Sequence, residues 1–324
     1  MNDNTVQNLN MACAAGVGLG TYVYSNVRGY SFISKHFWIK ADKSPSPQDI
    51  FEYRQAVQKA IHSEGFDKFG LKILDCSKPE GMRLLQEYEK KCIDSYNEKL
   101  NKAKNGFSKY LIKKFDKAKL QRRINYLYLI KEGRNAFAIQ RTINDKKYPT
   151  IVINMEKFPS AVFHELGHHK NHRKLSNIAD SFLYGVLRNK KYMQRSLWGI
   201  LLVSLFTNKK RNKNPNKTNP LYPVGKFIKD HCALLAGLVC LPLLAEETMA
   251  SVNGQILGKK YLPKQQLKSM TKTHINSFLS YAKYLGMFCV SMFLANMARD
   301  GYIFAISKAQ DLKSKYFDSK KFAH

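Results

Sequence analysis

His164-Glu165-Leu166-Gly167-His168 places two imidazoles four residues apart with a carboxylate beside the first. On a helix, residues four apart share a face. Both histidines can therefore turn toward one metal ion, and Glu165, about a quarter turn away, reaches a water held by it. Those are the working parts of a zinc hydrolase, with Zn2+ as the expected cofactor. With nine His and eleven Glu in 324 residues, such a pattern arises by chance in roughly one such chain in a hundred. The competing reading is a solvent-facing, His-rich helix without metal.

Two histidines do not complete a catalytic zinc site, which takes three protein ligands and leaves a fourth position for water. The next suitable cluster is Leu243-Leu244-Ala245-Glu246-Glu247-Thr248-Met249-Ala250-Ser251, where two acids end an apolar run. A carboxylate buried there is costly unless it is paired or binds metal. Either acid alternatively ends a hydrophobic helix at the water boundary.

Three blocks resemble the membrane-associated gluzincin peptidases, the group that includes HtpX and the CAAX prenyl proteases, with a looser likeness to bacterial neutral zinc metallopeptidases. Arg134-Asn135-Ala136-Phe137-Ala138 is similar to that family's NAFA block. Pro149-Thr150-Ile151-Val152-Ile153-Asn154 is similar to the strand before the zinc helix, and Glu247-Thr248-Met249-Ala250-Ser251 to the ExxxD block. The resemblance implies Glu247, three residues before Ala250, as the third metal ligand beside His164 and His168. It also implies peptide or protein substrates. The chain departs from the pattern at Ser251, where the family has an Asp that orients a zinc-binding His, so support behind the ligands is weaker or differently built. The likeness runs from about Arg134 to Gly258.

The elements that must position these residues are legible in outline. Pro159 interrupts the segment before the motif, and Ser160 is an expected cap for the zinc helix. Ile151 to Asn154 is β-branched and is a candidate edge strand along which an extended peptide pairs, or else a core strand. Ser46-Pro47-Gln48-Asp49 starts a helix that should stop near Gly65. A second helix starts around Ser77-Lys78-Pro79-Glu80 and breaks at Asn105-Gly106, and a strongly basic third runs from about Phe107 to Lys131. Donors for a developing oxyanion are sought among His274, Tyr281 and Arg299, with no spacing that selects one. His169 and His172 are extra imidazoles beside the motif.

Lys and Arg number 54 against 24 acids, a net charge of +30 that favours anionic surfaces such as phospholipid headgroups or nucleic acid. Six cysteines without a CxxC pair suggest free buried thiols. No charge occurs from Asn4 to Val27. Apolar runs follow at Ser196 to Phe206, Cys232 to Ala245 and Phe278 to Ala298, the last interrupted by Lys283. This order of apolar segments around the motif matches the family it resembles. A span at Leu9 to Val27, with Lys and Arg abundant only after it, would put the catalytic part on the cytoplasmic side.

The expected fold is mainly α: a zincin-like metallopeptidase with a small β element before the zinc helix and several hydrophobic helices suited to a membrane. Its expected organisation is an N-terminal hydrophobic helix and membrane anchor over 1–30, a basic helical region over 31–133 and the metallopeptidase part over 134–324. The rival is a basic protein of the membrane surface or of nucleic acid with a vestigial site. An SprT-like protease would need a third His shortly downstream, and none lies between His172 and His231. Nucleic acid is accordingly the less favoured partner and an anionic lipid surface the more favoured.

Overall fold

The computed structural model describes residues 3–37, 45–143, 146–179, 190–207, 210–211, 214–218 and 220–321. The side chain of His172 and part of the Lys/Asn-rich stretch from Asn208 to Asn219 fall outside the described residues. What is described of that stretch is a short antiparallel pair, β4 (Lys210–Arg211) with β5 (Asn214–Thr218). The chain is mainly helical and divides into two compact units. One comprises Trp38–Asn177 and Glu246–Ser280; the other comprises Met1–Phe37, Ile178–Ala245 and Tyr281–His324.

The first unit opens with α2 (Pro47–Ser63). Ser46 and Asp49 form a capping box: the Ser46 hydroxyl accepts from the Asp49 N–H at 3.1 Å, and the Asp49 carboxylate accepts from the Ser46 N–H at 3.0 Å. Tyr53, Ala56, Val57 and Ala60 recur at helical spacing and are buried. The chain then turns through Gly65 and Gly70, both at positive φ, into β1 (Lys72–Asp75). Next come α3 (Pro79–Lys102) and α4 (Gly106–Leu111), the latter capped by Asn105 on the Ser108 N–H at 2.7 Å. A π-helical stretch, Ile112–Asp116, joins α4 to α5 (Lys117–Lys131).

β2 (Phe137–Ile143) and β3 (Lys146–Ile153) complete a three-stranded sheet in the order β1-β3-β2. β1 runs parallel to β3, with Asp75 opposite Ile153, and β2 runs antiparallel, with Phe137 opposite Val152. β3 is therefore the central strand, and the expectation of an edge strand at Ile151 to Asn154 is overturned. The physical reason is double burial. Ile151 and Ile153 pack with Val57, Phe163 and Leu166 on one face, while Val152 packs with Cys76, Leu85, Leu127 and Ile130 on the other. A strand covered on both faces needs the continuous apolar run that this segment has.

The chain leaves β3 through a 3-10 turn, Pro159–Ala161, into the zinc-helix candidate α6 (Val162–Ala179). Ser160, expected as a cap, is fully buried in that turn, and its hydroxyl meets Thr273 Oγ1 at 2.8 Å.

The second unit is built from α1 (Asp3–Phe37), α7 (Lys190–Phe206), α8 (Tyr222–Asp230) and the parts of α9 (Cys232–Tyr261) and α10 (Lys264–Lys321) that belong to it. Its core includes Leu197, Leu201 and Leu205 from α7, Ala236 and Cys240 from α9, and Leu285, Met292 and Ala295 from α10. A Cβ at Gly18 would press on the Leu205 side chain and the Ala295 carbonyl, so glycine lets α1 pack close there. Two helical stretches among the described residues, Cys232–Tyr261 and Lys264–Lys313, are long and apolar enough to cross a membrane. α1, the segment that the sequence marked first as an anchor, is long enough but is not one of the two; Asn8, Asn10, Thr21, Ser25 and Asn26 dilute its apolar content. All six cysteines are free thiols, four of them buried.

Candidate metal centre

α6 presents His164 and His168 on one face, and α9 presents Glu246, Glu247 and Ser251 to them. Two glycines permit the approach of these helices. A Cβ at Gly167, inside the HExxH segment, would overlap the Ala250 carbonyl, and one at Gly254 would press against the Phe163 carbonyl at 2.5 Å. The helices therefore touch backbone to backbone, a separation that no larger residue allows.

At this crossing the imidazoles of His164 and His168 stand nearly perpendicular, 4.8 Å between ring centres. Glu247 Oε2 lies 3.3 Å from His164 Nε2 and 3.5 Å from His168 Nε2. The three residues can each offer one ligand atom, all within 4.8 Å of one another. The Glu247 oxygen is buried and accepts no hydrogen bond. A buried carboxylate oxygen facing the Nε2 atoms of two imidazoles is a donor set that could hold a metal ion.

The far side of each imidazole is also held. His164 Nδ1 meets Ser251 Oγ at 3.1 Å, and His168 Nδ1 meets Glu246 Oε1 at 3.3 Å. Neighbours on a helix point about 100° apart, so the paired acids divide the work. Glu247 faces the Nε2 atoms, and Glu246 grips one imidazole from behind. Glu246 is thus no surface cap; it is buried, and its contact holds the orientation of the His168 ring. Ser251 does the same for His164 with a hydroxyl where the family it resembles has a carboxylate.

Burial alone would lower the pKa of His168, but the facing carboxylates of Glu246 and Glu247 outweigh it, and the Glu165 charge adds to them, raising the pKa to about 10. Glu165 is buried beside the cluster, and its charge is felt by His168.

Around this centre lie residues that the sequence did not single out. Asn171 Nδ2 donates to the Glu246 carbonyl at 3.4 Å, and Asn253 Nδ2 donates to Asn171 Oδ1, tying α6 to α9 on the side of Glu246. The signal was present as spacing: Asn171 lies seven residues after His164, and Asn253 seven after Glu246. Tyr126, on α5, stacks obliquely on Phe137 at 5.6 Å. Burial of the phenol pushes its pKa up, the Glu165 charge and more weakly that of Glu247 add to this, and a hydrogen bond with Asn135 partly offsets it. The hydroxyl is thus within electrostatic reach of Glu165.

Of the three oxyanion candidates, the structure brings His274 to the cluster, its ring centre 5.6 Å from that of His164. His274 Nδ1 lies 3.1 Å from the Ser251 carbonyl, which can only accept, so Nδ1 carries the proton and Nε2 holds a lone pair. A lone pair cannot donate to an oxyanion. Tyr281 and Arg299 belong to the helical unit, where Arg299 bonds the carbonyls of Leu205 and Thr207. His169 is buried in α6.

No family model, no curated protein and no solved structure matches the chain at a significant level. The site stands on its own geometry.

Proposed function

We propose that this chain is a zinc-dependent metallopeptidase acting at a membrane, with His164, His168 and Glu247 holding the ion. The observation that carries the reading is the convergence of these ligand atoms within 4.8 Å at a point where Glu247 Oε2 is buried without a donor. Two neutral imidazoles and one carboxylate suit zinc among the common divalent ions and leave room for a fourth ligand.

When bound there, zinc would supply a Lewis acid to polarise a scissile carbonyl and to acidify a water. Glu165 takes the proton from the attacking water and later passes it to the leaving amine. Ser251 and Glu246 keep the two imidazoles turned inward throughout. Since β3 is paired on both sides, the strand that offers main-chain groups to an extended peptide is β2, an edge strand that begins at Phe137 beside Tyr126.

Membrane residence is supported by the helical unit. Trp198, Leu202 and Phe206 on α7, Leu234, Leu238 and Leu241 on α9, and Val290, Phe293 and Met297 on α10 are exposed, while other faces of these helices form the apolar core. Helices that are apolar both inside and outside are suited to lipid rather than water.

The test is metal content and turnover of the full chain. Glu165→Gln should retain about one zinc per chain and lose casein hydrolysis, because the amide cannot take the proton. Full turnover by this variant would remove the assigned role. Carbonate-resistant pelleting tests the membrane, and complete release by high salt would show attachment by exposed charge alone.

A further inference from the structure

The helical unit carries a second polar cluster that peptide hydrolysis does not use. A cavity of about 530 Å³ is lined by residues of α1, α8 and α10, among them Asn10, Lys226, Lys229, Arg299 and Tyr302. Arg299 is buried, and four of its five N–H groups are engaged: Nε bonds the Leu205 carbonyl at 3.0 Å, Nη1 bonds Asp300, and Nη2 bonds the Thr207 carbonyl and Met11 Sδ. Lys229 pairs with Asp300 at 2.7 Å and Lys226 with Asp230. Three cations thus share two carboxylates. The cluster keeps one positive charge in excess, which matches a phosphodiester monoanion.

The neighbouring α8 indicates where such a phosphodiester comes from. It packs on the end of α7 at Gly225, whose Cβ would press on Thr207, and Leu221, Val224 and Phe227 recur three apart around this helix. They are 73%, 60% and 57% exposed. A short helix with an apolar stripe turned outward and lysines beside it lies in a membrane interface, where the stripe enters the acyl boundary and the lysines stay at headgroup depth. On α10, Ile303 and Phe304 are exposed next to the cavity and continue the apolar surface.

We infer that this cavity binds the headgroup of an anionic glycerophospholipid, with Lys226, Lys229 and Arg299 facing the phosphodiester and the acyl chains lying over the apolar surface of α8 and α10. The inference rests on the membrane residence proposed above and is independent of the metal centre. Lys226 and Lys229 suit a phosphate group as point charges, and Arg299, with one N–H left, adds its charge and a single donor.

The experiment uses the detergent-purified full chain and fluorescent phosphatidylglycerol or phosphatidylcholine. The chain should retain phosphatidylglycerol in preference to phosphatidylcholine. Lys226→Gln with Lys229→Gln should weaken phosphatidylglycerol binding by about 25-fold, about fivefold for each lysine. Asp230→Asn, which removes a competing carboxylate, should tighten binding several-fold, and it keeps the test decisive if the double variant fails to fold. Equal retention of the two lipids, or unchanged affinity in a folded double variant, overturns the site. Competition by inorganic phosphate as effective as competition by lipid would show a soluble-anion site and overturn the lipid assignment. Release of the wild-type chain from membranes by carbonate would overturn the membrane reading itself, whereas a carbonate-resistant chain with no lipid preference would overturn this site alone.

Discussion

Replacing Glu246 separates a metal ligand from a residue that orients one. Glu246 Oε1 lies 3.3 Å from His168 Nδ1, on the opposite side of the ring from Glu247. Removing such an orienting carboxylate costs about 10–100-fold in metal affinity. Glu246→Gln still offers an acceptor oxygen but loses the charge, and hydrogen bonds to charged acceptors are about twice as strong as neutral ones. The glutamine variant should therefore bind zinc about tenfold more weakly, about 1.4 kcal/mol, and Glu246→Ala should lie nearer the hundredfold end. Glu247→Ala should strip the metal altogether, since two imidazoles remain. The assay is competition for zinc against a chromophoric chelator at fixed pH, with helicity checked in each variant. A second readout is proton release. His168 is raised to about 10, so zinc uptake near neutral pH displaces its proton, and Glu246→Gln should reduce the number released. Wild-type affinity in Glu246→Ala would show that the contact does not act on the metal. Greater loss at Glu246 than at Glu247 would reverse the two roles.

Ser251→Asp should tighten zinc about tenfold, because a carboxylate facing His164 Nδ1 accepts a stronger bond than the present hydroxyl at 3.1 Å; unchanged affinity would refute this. Gly167→Ala should lower both thermal stability and zinc affinity, since its methyl group overlaps the Ala250 carbonyl and pushes α6 from α9, and a wild-type melting curve with full zinc content would contradict the close crossing. Burial opposes ionisation of Asp75, but bonds from Ser77, the Met155 N–H and Arg54 outweigh it and hold its pKa below the ordinary carboxylate value. The stability it contributes is then present above about pH 4 and is lost as pH falls through the depressed folded value, so Asp75→Asn should melt lower at neutral pH with a flatter acid limb in a Tm-against-pH series. Tyr126→Phe tests whether the phenol donates to the reacting carbonyl: kcat should drop about a hundredfold with zinc content unchanged, and an unaltered kcat would remove that role.

The sequence by itself determined what depends on one or two helical turns. The placement of His164 and His168 on one face, the helix start at Ser46-Pro47, and the break at Asn105-Gly106 are all local, and each stands in the structure where the residue types put it. The resemblance to a peptidase family, carried by a few short blocks, pointed to Glu247 rather than Glu246. What Glu246 does instead was not legible, because its contact with His168 spans 78 residues, and that of Ser251 with His164 spans 87. Periodicity says that Glu246 and Glu247 point apart, but not what either one meets. The β-branched run at Ile151 likewise fits an edge or a centre, and only the pairing of β1 and β2 on its two sides made it central. The same held for Ser160, whose hydroxyl found Thr273 across 113 residues. Local chemistry fixes the direction in which a side chain leaves its own helix or strand; its partner is set by which other segment packs there, and at this site that depended on two glycines, Gly167 and Gly254, which let two backbones touch.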